Sequence, residues 1–159
     1  MTKRIISLFL AAGLVLYAGA VSAQSLTLGQ ISAYLNQLET AQGGFTQINQ
    51  DGTLSTGQIY IKRPGRIRFE YNPPAESMVL AGAGTVAVFD PRSNTGPEQY
   101  PLSRTPLSII LAPDVNLERA RMVTDLTSDG TTTTVTAQDP DNPDYGSLKM
   151  VFTANPIEL

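Results

Sequence analysis

Catalysis by this chain would require carboxylate, tyrosine, serine or lysine side chains, because its 159 residues include neither histidine nor cysteine. Those two types supply the commonest general base, the commonest metal ligand and the thiol nucleophile. Paired carboxylates could hydrolyse glycosides, but many acidic residues stand at turn signals, as in Asp51-Gly52 and Asp129-Gly130. No nucleophile, phosphate-loop or dinucleotide motif occurs. We therefore predict that the protein is not an enzyme and uses no cofactor.

The acidic segment DPDNPDYG, residues 139–146, is similar at its start to a calcium-binding loop. Asp139 and Asp141 occupy the first two ligand positions of such a loop. Pro143 replaces the third ligand, and Met150 stands where the closing glutamate would be. We interpret the segment as a proline-stiffened acidic loop and predict no metal site.

One arginine stands in phase with the apolar side of a predicted strand. In QIYIKR, Ile59, Ile61 and Arg63 share one face, and Lys62 points away. Three interpretations fit this spacing: Arg63 lies past the strand end in solvent, it extends from the rim of the core to water, or it points inward and hydrogen-bonds backbone carbonyls across an apolar cavity. A buried guanidinium is costly unless it is hydrogen-bonded. An inward arginine would therefore hold a covering element closed, yet could be displaced.

The spacing of apolar residues predicts an α+β chain that is mostly β, built as an antiparallel meander. In RIRFEY, Ile67, Phe69 and Tyr71 alternate with charged residues, as expected for a strand with one buried face. SLKMVFT, near the end of the chain, predicts a further strand. The turn signals between the predicted strands are Asp51-Gly52, Gly82-Ala83-Gly84 and Asp129-Gly130.

Two helices are expected beside these strands. Residues 28–41 have apolar residues at helical spacing, Thr27 and Gln30 resemble a capping box, and Gly43-Gly44 would stop the helix. The second helix is expected within residues 104–113.

The segment RTPLSIILAP predicts a short helix inserted between strands. Thr105 is its candidate N-cap, Pro106 occupies the first helical position and Pro113 marks the end. The helix is apolar nearly all round, so it must be buried on most sides or cover something apolar.

The first 23 residues have the pattern of a signal peptide. Lys3 and Arg4 precede an apolar run, and small residues occupy the two positions that a signal peptidase reads. We predict cleavage between Ala23 and Gln24, and export of a soluble protein.

The exported chain, residues 24–159, suits one domain. Without Lys3 and Arg4, the 11 basic residues fall to 9 against 14 acidic residues, a net charge of −5. This charge argues against nucleic acid as a partner. Since no cysteine is present, burial alone must stabilise the core. The sequence ends on what reads as the start of a strand, so we expect the domain to be truncated after Leu159.

Taken in order, these segments resemble the LolA-type periplasmic carrier of outer-membrane lipoproteins, and in particular its alphaproteobacterial branch. The resemblance runs from about Leu28 to Leu159. It implies an unclosed, strongly curved antiparallel half-barrel covered by short helices that form a lid, with a cavity for the acyl chains of a lipoprotein. Its more specific points are Phe45-Thr46-Gln47, Lys62-Arg63-Pro64 and Thr105-Pro106-Leu107.

The resemblance also implies roles for residues. Arg63 matches the family's gating arginine, which hydrogen-bonds the lid in the closed, empty state, so the third interpretation of Arg63 is favoured. Residues 105–112 would be part of the lid, and helix 28–41 would pack beside it. The residues expected to line the acyl cavity are Ile59, Ile61, Ile67, Phe69, Tyr71, Val86, Val88, Leu107, Ile110 and Leu111.

The function implied by the resemblance is that of a soluble, monomeric periplasmic chaperone that ferries lipoproteins from the inner to the outer membrane. Its implied partners are acylated lipoproteins, an inner-membrane ABC-type release complex and an outer-membrane lipoprotein acceptor. The same half-barrel serves envelope regulators, so a module that senses lipids or mislocalised lipoproteins is the alternative. A lipid-anchored acceptor is disfavoured because there is no cysteine to acylate.

Overall fold

The computed structural model describes residues 25–159, so the predicted signal peptide and its cleavage site lie outside the described residues. The described chain is mostly strand, with two short α-helices and two 3-10 turns. In chain order the elements are α1 (Leu28–Gln37), β1 (Thr40–Ile48), β2 (Leu54–Lys62), β3 (Arg66–Tyr71), β4 (Met78–Gly82), β5 (Thr85–Phe89), β6 (Glu98–Pro101), a 3-10 turn (Leu102–Arg104), α2 (Leu107–Leu111), β7 (Val123–Ser128), β8 (Thr132–Gln138), a 3-10 turn (Pro143–Tyr145), β9 (Ser147–Ala154) and β10 (Ile157–Glu158).

The strands form two antiparallel sheets. The first has six strands in sequence order, β1 to β6, and the second has four, in the order β10-β9-β8-β7. Within residues 25–159 neither sheet closes on itself, so the prediction of an unclosed, mostly antiparallel β fold with short helices is confirmed. Strand β6 was not predicted, because its sequence EQYP has no apolar alternation and contains proline.

Helix α1 begins as its sequence predicts but is shorter than expected. The Thr27 hydroxyl accepts a hydrogen bond from the Gln30 N–H, and the Gln30 side chain accepts one from the Thr27 N–H, which completes the capping box. The helix ends at Gln37 rather than at residue 41. Gly43-Gly44 lie inside β1, because pairing with β2 along the whole strand supplies backbone hydrogen bonds that outweigh the weak strand propensity of glycine.

Helix α2 is also shorter than predicted. Thr105 does not cap it: its hydroxyl donates to the carbonyl oxygen of Leu102 at 2.9 Å, so it is engaged with the preceding turn. Pro106 precedes the helix rather than occupying its first position. The capping expectation was wrong because a 3-10 turn precedes α2 and engages the Thr105 hydroxyl. The sequence did not reveal that turn.

One continuous core joins both sheets and both helices. From α1, Ile31 and Leu35 are fully buried, and Tyr34 packs edge-to-face on Phe152 of β9 with ring centroids 6.0 Å apart. From α2, Ile110 is also buried in this cluster. No helix within the described residues is both long and apolar enough to cross a membrane.

A glycine permits close packing across the first three strands. A Cβ atom at Gly57 would lie 2.1 Å from the carbonyl oxygen of Glu70 and 2.6 Å from the Phe45 ring. The Phe45 ring instead lies over Gly57 and packs edge-to-face on Phe69 and Tyr71, at centroid distances of 5.1 and 4.9 Å. Only glycine at position 57 therefore allows this aromatic cluster.

We expect Phe152→Ala to lower the free energy of unfolding by about 3–5 kcal/mol, because the ring is fully buried and its removal leaves a cavity. The neighbouring Val151→Ala is the control, since Val151 is 49% exposed and its truncation should change stability by about 0.5 kcal/mol at most. Urea unfolding followed by circular dichroism measures both. Equal losses would contradict the assignment of the core.

We expect Gly57→Ala to lower the free energy of unfolding by about 1–3 kcal/mol, because the added methyl group collides with Glu70 and Phe45. Gly43→Ala on the adjacent strand is the matched control, since a Cβ there meets no atom within 4 Å. Thermal unfolding gives the stabilities, and near-ultraviolet circular dichroism reports the aromatic packing. The explanation fails if the two alanine variants behave alike.

Candidate functional site

One side of the six-stranded sheet is apolar across neighbouring strands, and we call it the apolar face. Its innermost row runs across four strands by direct pairing: Ile61 lies opposite Ile67, Ile67 opposite Ala81, and Ala81 opposite Val86. These four side chains are only 3–5% exposed. This end of the sheet is therefore sealed from water.

The next row of the apolar face is less covered. Ile59 lies opposite Phe69, Phe69 opposite Val79, and Val79 opposite Val88, and all four are half-buried. Tyr71, two residues farther along β3, is also half-buried. Burial thus falls along β3, β4 and β5 away from α2, which leaves apolar surface partly accessible there, whereas on β2 Gly57 is buried beside the Phe45 ring.

Helix α2 covers the buried end of the apolar face. Ile109, Ile110 and Leu111 are buried in the same core cluster as Ile61, and Leu107 packs against that cluster. The helix is joined to the β2–β3 turn by one backbone hydrogen bond, from the Gly65 N–H to the Leu111 carbonyl oxygen at 2.9 Å. A helix of five residues with few backbone ties has little stability of its own.

Arg63 provides the second tie between the sheet and α2. It follows the last residue of β2, is half-buried, and its Nη2 donates to the carbonyl oxygen of Ala112, at the end of α2, at 2.7 Å. Its backbone N–H donates to the Glu39 carbonyl oxygen at 2.8 Å. Its Nε is buried and has no hydrogen-bond partner among the described residues. Partial burial lowers the pKa of the Arg63 guanidinium.

The residues predicted to line an acyl cavity fall into two groups. Seven of them lie on the apolar face and three lie on α2, and the buried ones pack against each other. Two clefts occur among the described residues. One, of about 270 Å³, lies beside Arg63, and the other, of about 490 Å³, is polar and includes Arg121 and Asp139. Neither cleft is lined by the predicted cavity residues, so their role in binding remains a prediction.

Several residues of this region were missed by the sequence reasoning. Val79 and Ala81 belong to the apolar face, but the strand MVLAG is apolar on both sides, so alternation does not reveal which side is covered. Phe45 was named only as a point of family resemblance, because its position opposite Gly57 depends on the register between β1 and β2. Ile109 of α2 was not among the predicted lining residues and is buried as well.

The acidic loop uses its carboxylates internally. Asp139 is 4% exposed and accepts hydrogen bonds from the Asp141 N–H at 2.9 Å and from Asn142 Nδ2 at 2.8 Å. These hydrogen bonds lower the pKa of Asp139, and the nearby charge of Arg121 acts in the same direction. Arg121 forms an ion pair with Asp141. Asp139 therefore stabilises the turn, in line with the proline-stiffened loop that we inferred.

Comparison with known proteins places this geometry in a family. The family model described as outer membrane lipoprotein carrier protein LolA matches residues 36–158. An outer-membrane lipoprotein carrier protein of Coxiella burnetii (strain RSA 331 / Henzerling II) is 37% identical over 78 residues, which cover 46% of this chain and 37% of that protein.

Two further relatives are also named outer-membrane lipoprotein carrier protein. The protein of Methylococcus capsulatus is 28% identical over 76 residues, covering 45% of this chain and 36% of the relative. That of Methylibium petroleiphilum is 29% identical over 107 residues, covering 62% and 52%. The matched part of the chain thus spans between about a third and a half of the length of these relatives.

The family match covers most of the chain, from the end of α1 through both sheets. The matched residues include the apolar face, Arg63 and α2. In the structure α2 packs in the same core as the apolar face, and Arg63 hydrogen-bonds the end of α2. This chain belongs to the LolA family of outer membrane lipoprotein carrier proteins.

Proposed function

We propose that this chain is a periplasmic chaperone that binds the acyl chains of lipoproteins on its apolar face and carries them from the inner to the outer membrane. The observation that carries the proposal is a broad apolar face whose cover, α2, is tied to the sheet by a hydrogen bond from Arg63. The three relatives, each named an outer-membrane lipoprotein carrier protein, support the same role.

The cargo chemistry follows from the hydrophobic effect. Each methylene group of an acyl chain gains about 0.8 kcal/mol when it leaves water. A lipoprotein with long acyl chains therefore stays in a membrane unless another apolar surface receives those chains. In our proposal Ile59, Phe69 and Val88 form the part of that surface already open to the ligand, and movement of α2 exposes the rest.

The balance of forces at Arg63 suits a cover that opens. A hydrogen bond from a charged donor contributes about 1.5–3 kcal/mol, whereas a buried, unpaired donor such as its Nε costs about 1–3 kcal/mol. The net contribution of Arg63 to closure is therefore small. Displacing α2 also uncovers Ile110 and Leu111, at a cost of about 1.5–3 kcal/mol each. A long acyl chain, at about 0.8 kcal/mol per methylene group, would replace that burial, and the returning Arg63 contact would favour release. Arg63 is in this proposal the latch of the lid.

The cellular setting is part of the proposal. The N-terminal pattern supports export to the periplasm with cleavage between Ala23 and Gln24, which leaves residues 24–159 as one carrier domain. A monomeric carrier would receive cargo from an inner-membrane ABC-type complex and deliver it to an outer-membrane acceptor. Binding and release of this kind require no catalysis by the chain.

A sensing module of the cell envelope is the second candidate, because the same half-barrel could bind lipid and report it without removing it from the membrane. Half-buried apolar residues on the face would serve either role. Only a carrier extracts lipoproteins, so extraction separates the two functions.

The experiment that tests the proposed function measures extraction. Purified protein is incubated with spheroplasts that display a labelled lipoprotein, and the supernatant is separated by gel filtration. We expect a soluble one-to-one complex. Binding of lipid without release of lipoprotein would favour the sensor and overturn the carrier.

We expect Arg63→Leu to weaken closure of α2 by about 1 kcal/mol, which corresponds to about fivefold slower hand-over of bound lipoprotein. The variant loses the hydrogen bond to Ala112 and also the buried, unpaired Nε, so its fold should persist. Transfer of labelled lipoprotein to outer-membrane vesicles measures the effect. The exposed Arg66, mutated to leucine, is the matched control. Hand-over at the normal rate by the Arg63 variant would remove its role as a latch.

We expect Ile110→Asp to abolish uptake of acyl chains while the sheet stays folded, because a carboxylate on the inner side of α2 disfavours apolar ligands. Val151→Asp, at a residue 49% exposed on β9, controls for the added charge. Uptake is followed by displacement of a fluorescent fatty acid, and circular dichroism checks the strands. Unchanged uptake by a folded Ile110 variant would show that α2 does not contribute to the binding surface.

A further inference from the structure

The apolar face ends in a group of uncharged polar side chains, which we call the polar rim: Gln47, Asn49, Ser55 and Tyr71. Strand alternation puts three of them on the apolar face. Gln47 is two residues beyond Phe45 on β1 and lies opposite Ser55 of β2, while Tyr71 lies opposite Gly57. The same change from apolar to polar thus occurs on three neighbouring strands, and always at the end farthest from α2.

The polar rim is connected by hydrogen bonds. The Tyr71 hydroxyl donates to Gln47 Oε1, Gln47 Nε2 donates to Asn49 Oδ1 at 2.9 Å, and Asn49 Nδ2 donates to Ser55 Oγ at 3.0 Å. Burial raises the pKa of Tyr71, so its phenol is protonated at neutral pH. Asn49 Nδ2 also donates to the Thr53 hydroxyl at 2.9 Å, and Thr53 donates to Asp51. The four uncharged side chains therefore form one ordered network that continues to a carboxylate in the β1–β2 turn.

This network retains hydrogen-bonding capacity toward a ligand. The internal bonds use one N–H of the Gln47 amide, one lone pair of Ser55 and the proton of Tyr71. The second N–H of Gln47 and the O–H of Ser55 remain to donate, and the phenolic oxygen of Tyr71 remains to accept. Two donors and one acceptor suit a group that contains both carbonyl oxygens and an amide N–H.

The charge around the polar rim selects against anionic groups. None of its four members carries a charge, so a phosphate or carboxylate would find no cation there. Asp51, joined to the rim through Thr53, repels anions. Among the strand residues that the structure describes in this sheet, Glu98 of β6, opposite Val88, is the one acidic side chain in phase with the apolar face. It is three strands from Tyr71, roughly 14 Å at the usual strand spacing, and its field also disfavours anions.

We propose that the polar rim recognises the uncharged ester and amide groups that join acyl chains to a lipoprotein's polypeptide, with the chains directed toward Ile61 and Ile67. This inference rests on the proposed carrier function and names the part of the cargo that gives it specificity. A bilayer phospholipid has the same acyl esters, which the two donors of the rim can also bind. It has an anionic or zwitterionic phosphate in place of the amide N–H, so it cannot use the Tyr71 acceptor and places a charge beside the rim. The rim would thus allow the carrier to select lipoproteins from a large excess of membrane lipid.

The test uses two probes with the same two palmitoyl chains. One is a short cysteinyl peptide with a dipalmitoylglyceryl thioether and an acetylated N-terminus, so that it carries the uncharged amide, and the other is dipalmitoyl phosphatidylglycerol. Each competes with a fluorescent apolar dye for the purified, exported protein. We expect the unsubstituted protein to prefer the peptide by about tenfold, the effect of one or two hydrogen bonds.

The variant combines Gln47→Ala with Tyr71→Phe, and we expect it to lose about tenfold in affinity for the lipidated peptide. Its affinity for phosphatidylglycerol should fall by about threefold at most, because this lipid can use Gln47 through its esters but not the Tyr71 acceptor, so the preference for the peptide should narrow. The matched control makes the same two changes on the opposite side of the sheet, Gln58→Ala with Tyr60→Phe, because these residues alternate with the apolar face. The control should bind both probes as the unsubstituted protein does.

Thermal unfolding shows whether each variant is folded. If the double variant unfolds, Tyr71→Phe alone replaces it, with an expected loss of about threefold for the lipidated peptide. A folded variant that keeps its preference for the peptide overturns the inference, and so does one that loses both probes equally. If the unsubstituted protein binds neither probe, the proposed function itself fails.

Discussion

The six-stranded sheet has an apolar face that must be kept from water, and the rest of the structure depends on how that face is covered. At the β2–β3 end the cover is α2, so Ile61 and Ile67 are sealed. Toward the other end the cover thins, and Phe69 and Val88 remain half-buried. A folded protein tolerates such a surface when function requires it.

The covering helix depends on its contacts with the rest of the protein and not on its own helical stability. Five helical residues are too few to be stable alone, so α2 relies on burial of Ile110 and Leu111 and on hydrogen bonds from Gly65 and Arg63. The unpaired Nε of Arg63 offsets part of this stabilisation. An apolar ligand would gain more per chain than closure supplies, which is the condition for a cover that moves.

Helix α1, in contrast, belongs to the fixed part of the molecule. Asn36 pairs with both the N–H and the carbonyl of Val115, at 2.8 and 2.9 Å, and the Ser32 hydroxyl accepts from the Leu117 N–H at 3.0 Å. These bonds attach the chain after α2 to α1, and Phe152 joins α1 to the second sheet. Movement of α2 would therefore take place between two anchored segments.

Local sequence determined most of the strands, the Asp-Gly turns and the cap of α1, because alternation, turn residues and the Thr27 capping box act over a few residues. It also determined that Arg63 is in phase with Ile59 and Ile61. It did not determine that β1 extends through Gly43-Gly44, nor which side of MVLAG is covered, since both depend on the neighbouring strands. Only the tertiary structure brought Arg63 to the Ala112 carbonyl, 49 residues away, because that contact requires a sheet and a helix already in position.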